Sequence, residues 1–137
     1  MVIESLKYCQ EQKELEIYVY CLMHSHLHMI CRAKEQYKLS DIIRGFKKYT
    51  TKKIIRTIQN EPESRREWLL DHFKKACSYL KRKQDYKVWQ DGYYAEVTYS
   101  NYFIKEKIYY IHNNPVKDKI VKFAEDYFLV LLEIMEI

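Results

Sequence analysis

The stretch that most constrains this chain is residues 15–32. Leu15 to Met23 carry β-branched and aromatic residues and read as a strand. His24-Ser25 falls near a turn, and His26 to Arg32 read as the returning strand, so the two predict an antiparallel hairpin. In a strand, residues i and i+2 point to the same face. His26 and His28 therefore present two imidazoles side by side, with Leu27 facing the other way. Two imidazoles plus one more donor make a site for a divalent metal with positions left open for a substrate. His-x-His alone is a weak motif, so its meaning depends on what the rest of the chain brings to it.

The remaining elements follow from periodicity. Residues 2–12 read as a helix, with Ile3, Leu6 and Cys9 or Tyr8 on one side. Leu39, Ile42, Ile43, Phe46, Thr50, Ile54 and Ile58 trace a stripe of helical period, with Ser40 as the expected N-cap and Asp41 in the first turn. Arg44, Lys47, Lys48, Lys52 and Arg56 lie off that stripe, available to phosphates. Ser64-Arg65-Arg66-Glu67 fits a capping box and opens a helix to about Leu80, with Trp68, Leu69, Phe73 and Cys77 inward. Tyr86 to Tyr99 reads as strand, turn, strand around Gly92. Ser100 is expected to cap a helix from Asn101 to about Asn114, ended by Pro115 because the residue before proline disfavours helical angles.

That last helix holds the second candidate group. Ile104, Ile108 and Ile111 fall within about 60° of one another, and Tyr110 lies roughly 130° from the centre of their stripe. Asn114, at i+4, shares the face of Tyr110. This spacing argues against Tyr110 being one more core tyrosine among fourteen, while leaving a plain surface tyrosine open.

With 137 residues, two glycines and two prolines, the chain reads as one domain, 1–137, with no flexible linker. An apolar content of 47% excludes a disordered chain. No apolar run is long enough to span a bilayer, and the opening residues lack the apolar stretch of a secretory signal. Cys9, Cys21, Cys31 and Cys77 show no C-x-x-C spacing and read as free thiols, which makes the cytoplasm the expected compartment. Cys21 and Cys31 could face each other across the hairpin, with packing the preferred reading over a disulfide. The net charge of +5 is uneven: residues 38–87 hold fifteen Lys or Arg against six Asp or Glu. A concentrated positive field of this kind suits a polyanion, as it also suits a solvated helix face.

Met23-His24-Ser25-His26-Leu27-His28, then Val88-Trp89-Gln90-Asp91-Gly92-Tyr93, then Tyr110-Ile111-His112-Asn113-Asn114-Pro115-Val116 together resemble the single-tyrosine HUH transposases. The likeness is in particular to the REP-associated tyrosine transposases, the IS200-like type. That family carries a His-hydrophobic-His strand, a Trp-Gln segment and a helix ending Tyr-Ile-x-x-Asn-Pro-Val, and the likeness covers roughly residues 1–127. It implies an α+β fold with an antiparallel sheet and helices packed on it, ferredoxin-like or RRM-like, here without the family's first strand. It implies His26, His28 and Asn114 as ligands of Mg²⁺ or Mn²⁺, and Tyr110 as the nucleophile that attacks a DNA phosphorus to leave a 5′-phosphotyrosine link. The implied partner is single-stranded or hairpin DNA. Arg44, Lys47, Lys48, Lys52, Arg56 and Lys107 are the expected backbone contacts, and Tyr93, Tyr94 and Trp89 candidates to stack on bases, with a core place preferred for Trp89. A phenol ordinarily titrates near 10. Lys107 is a candidate to favour phenolate, and equally a solvated or phosphate-binding lysine.

The sequence departs from that family where His24 replaces a usual proline and at both ends, which reads as a shortened chain. A sheet without its first strand leaves an open edge. Phe128 to Leu132 could pair there, a second molecule could supply the edge to give a homodimer, or Phe128 to Leu132 could form a closing helix, which is the preferred expectation. Two other functions fit the same residues: a remnant that binds nucleic-acid hairpins without cutting them, and a metal-binding domain of unrelated function built on His24, His26 and His28.

Overall fold

A computed structural model describes residues 1–24, 26–80, 84–90, 101–127 and 130–132. Their contacts fall into two compact units: residues 1–14 with 37–94, and residues 15–36 with 95–137. The fold is α+β, with a sheet of antiparallel strands and four α-helices among the described residues.

The first unit is helical. Helix α1, Val2–Gln12, buries Leu6 and Cys9 and leaves Tyr8 exposed, so the cysteine takes the inward place. Helix α2, Leu39–Asn60, buries Ile42, Ile43, Phe46, Thr50 and Ile55. Ile55, not Ile54, continues the stripe. Ser40 is not the N-cap. Lys38 stands in extended backbone and its carbonyl already accepts the N–H groups of Asp41 and Ile42, so the helix starts two residues earlier without a side-chain cap. The buried Thr50 hydroxyl donates to the Phe46 carbonyl at 2.8 Å and accepts the Trp89 indole N–H at 2.8 Å. Trp89 also lies against Phe46, with ring centroids 5.6 Å apart. That seat satisfies a buried hydroxyl and an indole donor at once.

Helix α3 is Arg66–Lys75, shorter than the sequence predicts, and Ser64 makes no cap. Glu63 instead accepts the Arg65 N–H at 3.0 Å, and the Arg66 guanidinium donates to the Ile58 carbonyl at 2.8 Å and the Glu61 carbonyl at 2.6 Å. One arginine thus ties the start of α3 to carbonyls at the end of α2 that lack helical partners. Trp68 does not point inward: it is 61% exposed and stacks on His72. The expected strands of residues 86–99 lie partly outside the described residues; residues 86–90 are not strand.

The second unit holds the sheet. Strand β1, Leu15–Leu22, pairs antiparallel with β2, Leu27–Ala33, and the Met23 N–H donates to the His26 carbonyl at 2.8 Å where the hairpin closes. The register shifts by one residue between Ile17 and Val19. Below the shift Ile17 opposes Cys31; above it Cys21 opposes His28. Cys21 and Cys31 are therefore not cross-strand partners, and all four cysteines are free. Without the shift His28 would oppose Tyr20 and face the other way. With it, His28 shares the face of Cys21.

Helix α4, Asn101–Lys117, packs on β1 and β2. It runs through Pro115 instead of ending at Asn114. The proline is almost fully buried, and a compact turn closes the helix beyond it. Lys119 takes left-handed backbone (φ 59°), the Lys119 N–H donates to the Val116 carbonyl and the Ile120 N–H to the Pro115 carbonyl. These paired bonds are a Schellman cap. The turn carries Ile120 onto a core of Val19, Cys21, Met23 and Ile111, where Ile30, Ile108 and Tyr127 also pack. The Tyr127 hydroxyl donates to the Leu22 carbonyl.

The expected closing helix at Phe128–Leu132 is not what forms. Val130–Leu132 is strand β3, antiparallel to β1 with Val19 opposite Leu132 and Cys21 opposite Val130, giving the strand order β2-β1-β3. The second edge of β1 carries N–H and C=O groups that need partners, and a β-favouring apolar run supplies them. Phe128 and Leu129 lie outside the described residues.

Candidate functional site

The second unit builds its site from two parallel rows. Residues two apart on a strand are roughly 6.6 Å apart, and residues four apart on a helix roughly 6 Å. A strand and a helix laid side by side can therefore match side chains pair by pair. Here the hairpin offers His26 and His28, α4 offers Tyr110 and Asn114, and the turn that closes α4 offers Asp118.

His28 meets Asn114. The amide lies 2.9 Å from His28 Nε2, and Asn114 is 5% exposed, so this polar side chain is buried with an imidazole as a partner. The ring of Tyr110 stands edge-on to His28 with centroids 6.0 Å apart. His26 lies edge-on to His28 at 4.9 Å, and its Nε2 faces the Asp118 carboxylate at 3.9 Å. Burial pushes His28 below the usual histidine range; the neighbouring His26 adds to the shift and Asp118 opposes it. A lowered pKa keeps the imidazole neutral at pH 7, the form whose lone pair can bind a metal.

Four of the residues singled out in the sequence therefore come together: His26, His28, Tyr110 and Asn114. Among the described residues, no three His, Cys, Asp or Glu side chains form a ready-made metal cluster. The donor set that fits a metal here is two imidazoles and an amide oxygen, with the amide turned to present its oxygen. His24 is exposed at the tip of the hairpin, beside a cleft of about 340 Å³ that Met23, His26, Asp118 and Ile120 also line.

Tyr110 is 47% exposed, enough for a large substrate to reach it. Exposure alone does not single it out, since Tyr109 and Tyr102 on the same helix are 72% and 73% exposed. Its distinction is its place beside His28 and between two ammonium groups, Lys107 and Lys117, each 5.7 Å from its ring centroid. Lys107 also lies over Phe103.

The other expected DNA contacts lie on α2 in the first unit. Arg44 is paired with Asp41, and Lys47 donates to the Gln90 carbonyl at 3.1 Å. Lys48, Lys52 and Arg56 are exposed. Tyr93 and Tyr94 lie outside the described residues. Sequence reasoning missed Lys117 and Asp118. The signal was present for both, because residues 110, 114 and 118 repeat at helical spacing and Lys117 lies two turns from Tyr110. The expected helix end at Asn114 hid it.

A family model described as Transposase IS200 like matches residues 1–74. No curated protein and no solved structure gives a significant match. No helix among the described residues is long and apolar enough to cross a membrane.

Proposed function

The chain belongs to the IS200-like transposase family, and from that premise we propose that it cuts and rejoins single-stranded DNA at hairpin sites through a tyrosine–DNA intermediate. Family membership assigns it a transposase role and DNA as its partner. The observation that supports the finer reading is the row of contacts in which Asn114 touches His28 and Tyr110 stands beside the same imidazole.

In this reading Tyr110 Oη attacks a backbone phosphorus. The new phosphorus–oxygen bond leaves a 5′-phosphotyrosine, the bond to the 3′ oxygen breaks, and that oxygen takes up a proton to become a 3′-OH. The reverse attack by a 3′-OH reseals a strand and frees the tyrosine, so the phosphodiester energy is kept and no ATP is consumed. His26, His28 and Asn114 would hold Mg²⁺ or Mn²⁺, which supplies Lewis-acid polarisation of a non-bridging phosphate oxygen when bound. Lys107 and Lys117 place positive charge around the nucleophile, where it favours the approach of a phosphate. Arg44, Lys47, Lys48, Lys52 and Arg56 contact the DNA backbone.

The test is incubation with end-labelled single-stranded hairpin DNA and Mn²⁺, resolved on a denaturing gel. A labelled band at the mass of protein plus DNA supports the reading. Binding without any covalent band, with Mn²⁺ bound and Tyr110 intact, overturns it in favour of a hairpin-binding protein that does not cut.

A further inference from the structure

We infer that Gly45 is the point at which the DNA backbone lies closest to α2: without a side chain there, a sugar–phosphate strand can rest against the helix at the head of a row of cations. The inference rests on the DNA contact proposed above for α2 and adds to it the place and the mode of that contact.

Gly45 is one of two glycines in the chain, and it stands inside the 22-residue helix α2. Apart from proline, glycine is the least favourable residue for a helix interior. The fold gives no reason for it. Gly45 is helical and outside the left-handed region, so its backbone angles suit any residue. Nor does a neighbour need the space: the position is exposed, and a methyl group there would meet nothing within 4 Å among the described residues. Close approach of a partner's atoms to the helix backbone supplies the reason that packing does not.

The residues around Gly45 give that partner's chemistry. At 100° per residue, positions 45, 48, 52 and 56 fall within about 80° of one another. Gly45 therefore lies in line with Lys48, Lys52 and Arg56, all exposed. The single carboxylate of α2, Asp41, is paired with the Arg44 guanidinium, so it does not offset the row. Three cations in line suit a strand of phosphates, and the open backbone at Gly45 lets that strand lie flat on the helix.

The test is binding of a fluorescently labelled single-stranded DNA hairpin by the full chain, read by anisotropy, with thermal unfolding without DNA as a second readout. Backbone contacts carry no sequence information, so any hairpin with unpaired flanks serves as the probe. Gly45→Ala and Gly45→Gln add side chains of increasing size without charge, and both favour the helix. The expected result is an unfolding temperature raised in both, with DNA affinity falling in order of size, about tenfold in Gly45→Gln. Parental affinity in both glycine variants, while Lys48→Glu with Lys52→Glu loses binding, overturns the inference and leaves the α2 contact standing. Parental affinity in the charge-reversed chain as well, or a parent that binds no such DNA, overturns the α2 contact and the inference with it. Weaker binding matched by a fall in unfolding temperature also overturns the inference, because the glycine then serves the fold.

Discussion

The two halves of the site differ in how they are identified. The histidine hairpin lies inside the stretch matched by the family model, residues 1–74, and Tyr110, Asn114 and Asp118 lie beyond it. On the hairpin the pattern itself carries the meaning: alternate histidines on a strand share a face whatever surrounds them. On α4 no residue type is informative alone, because tyrosine is the commonest aromatic in the chain and asparagine is ordinary near a helix end. Those residues gain meaning only from what the fold sets them against. A family match can thus name one wall of a site while packing supplies the other.

That contrast can be broken most sharply at Tyr110. Tyr110→Phe removes the oxygen proposed as the nucleophile and nothing else, so covalent adduct should fall below detection while DNA affinity stays within a few-fold. Tyr109→Phe and Tyr102→Phe, at the more exposed tyrosines of the same helix, should leave the adduct unchanged. A denaturing gel of the three variants decides it; adduct surviving in Tyr110→Phe would show that α4 does not provide the nucleophile.

The metal side should give the next largest effect. His26→Ala and His28→Ala should each weaken Mn²⁺ binding by at least about tenfold, whereas His24→Ala, exposed at the hairpin tip, should leave it unaltered. Titration of the three variants checks this, and an equal loss in His24→Ala would favour a three-histidine site over the paired rows.

A smaller effect is expected from α2, in the other unit. Reversing charge at Lys48 and Lys52 should weaken DNA binding and flatten its salt dependence, since each phosphate neutralised contributes about 0.7 to the log–log slope on single strands. An unchanged slope would place the DNA on another surface. The smallest effect concerns the turn that sets Asp118. Lys119 pays for left-handed backbone that glycine adopts freely, so Lys119→Gly should raise stability by up to about 1 kcal/mol without loss of Mn²⁺ binding. Thermal unfolding measures it, and destabilisation would mean that the Lys119 side chain matters more than its backbone angle.

Much of this was legible in the sequence. The hairpin, the long basic helix and the shared face of Tyr110 and Asn114 follow from periods of two and 3.6, which local sterics enforce. The failures came where tertiary contacts overrode a local rule. Asn114-Pro115 reads as a helix end, but burial of Pro115 and docking of Ile120 carry the helix onward, and so Asp118 was missed. Trp68 reads as inward by its apolar character, yet α3 buries none of its residues fully and leaves the indole on the surface. The one-residue register shift that turns His28 toward α4 has no signature in residue type. Phe128 to Leu132 suits strand or helix equally, and the waiting edge of β1 decides for strand over Val130–Leu132.

The central claim is that the hairpin and α4 share one site. A double-mutant cycle on His28 and Asn114, read by calorimetric Mn²⁺ binding, tests it most directly. Residues that hold the same ion act together, so the double variant should bind no more weakly than His28→Ala alone. Losses that simply add, or an Asn114→Ala variant that binds Mn²⁺ as the parent does, would contradict it.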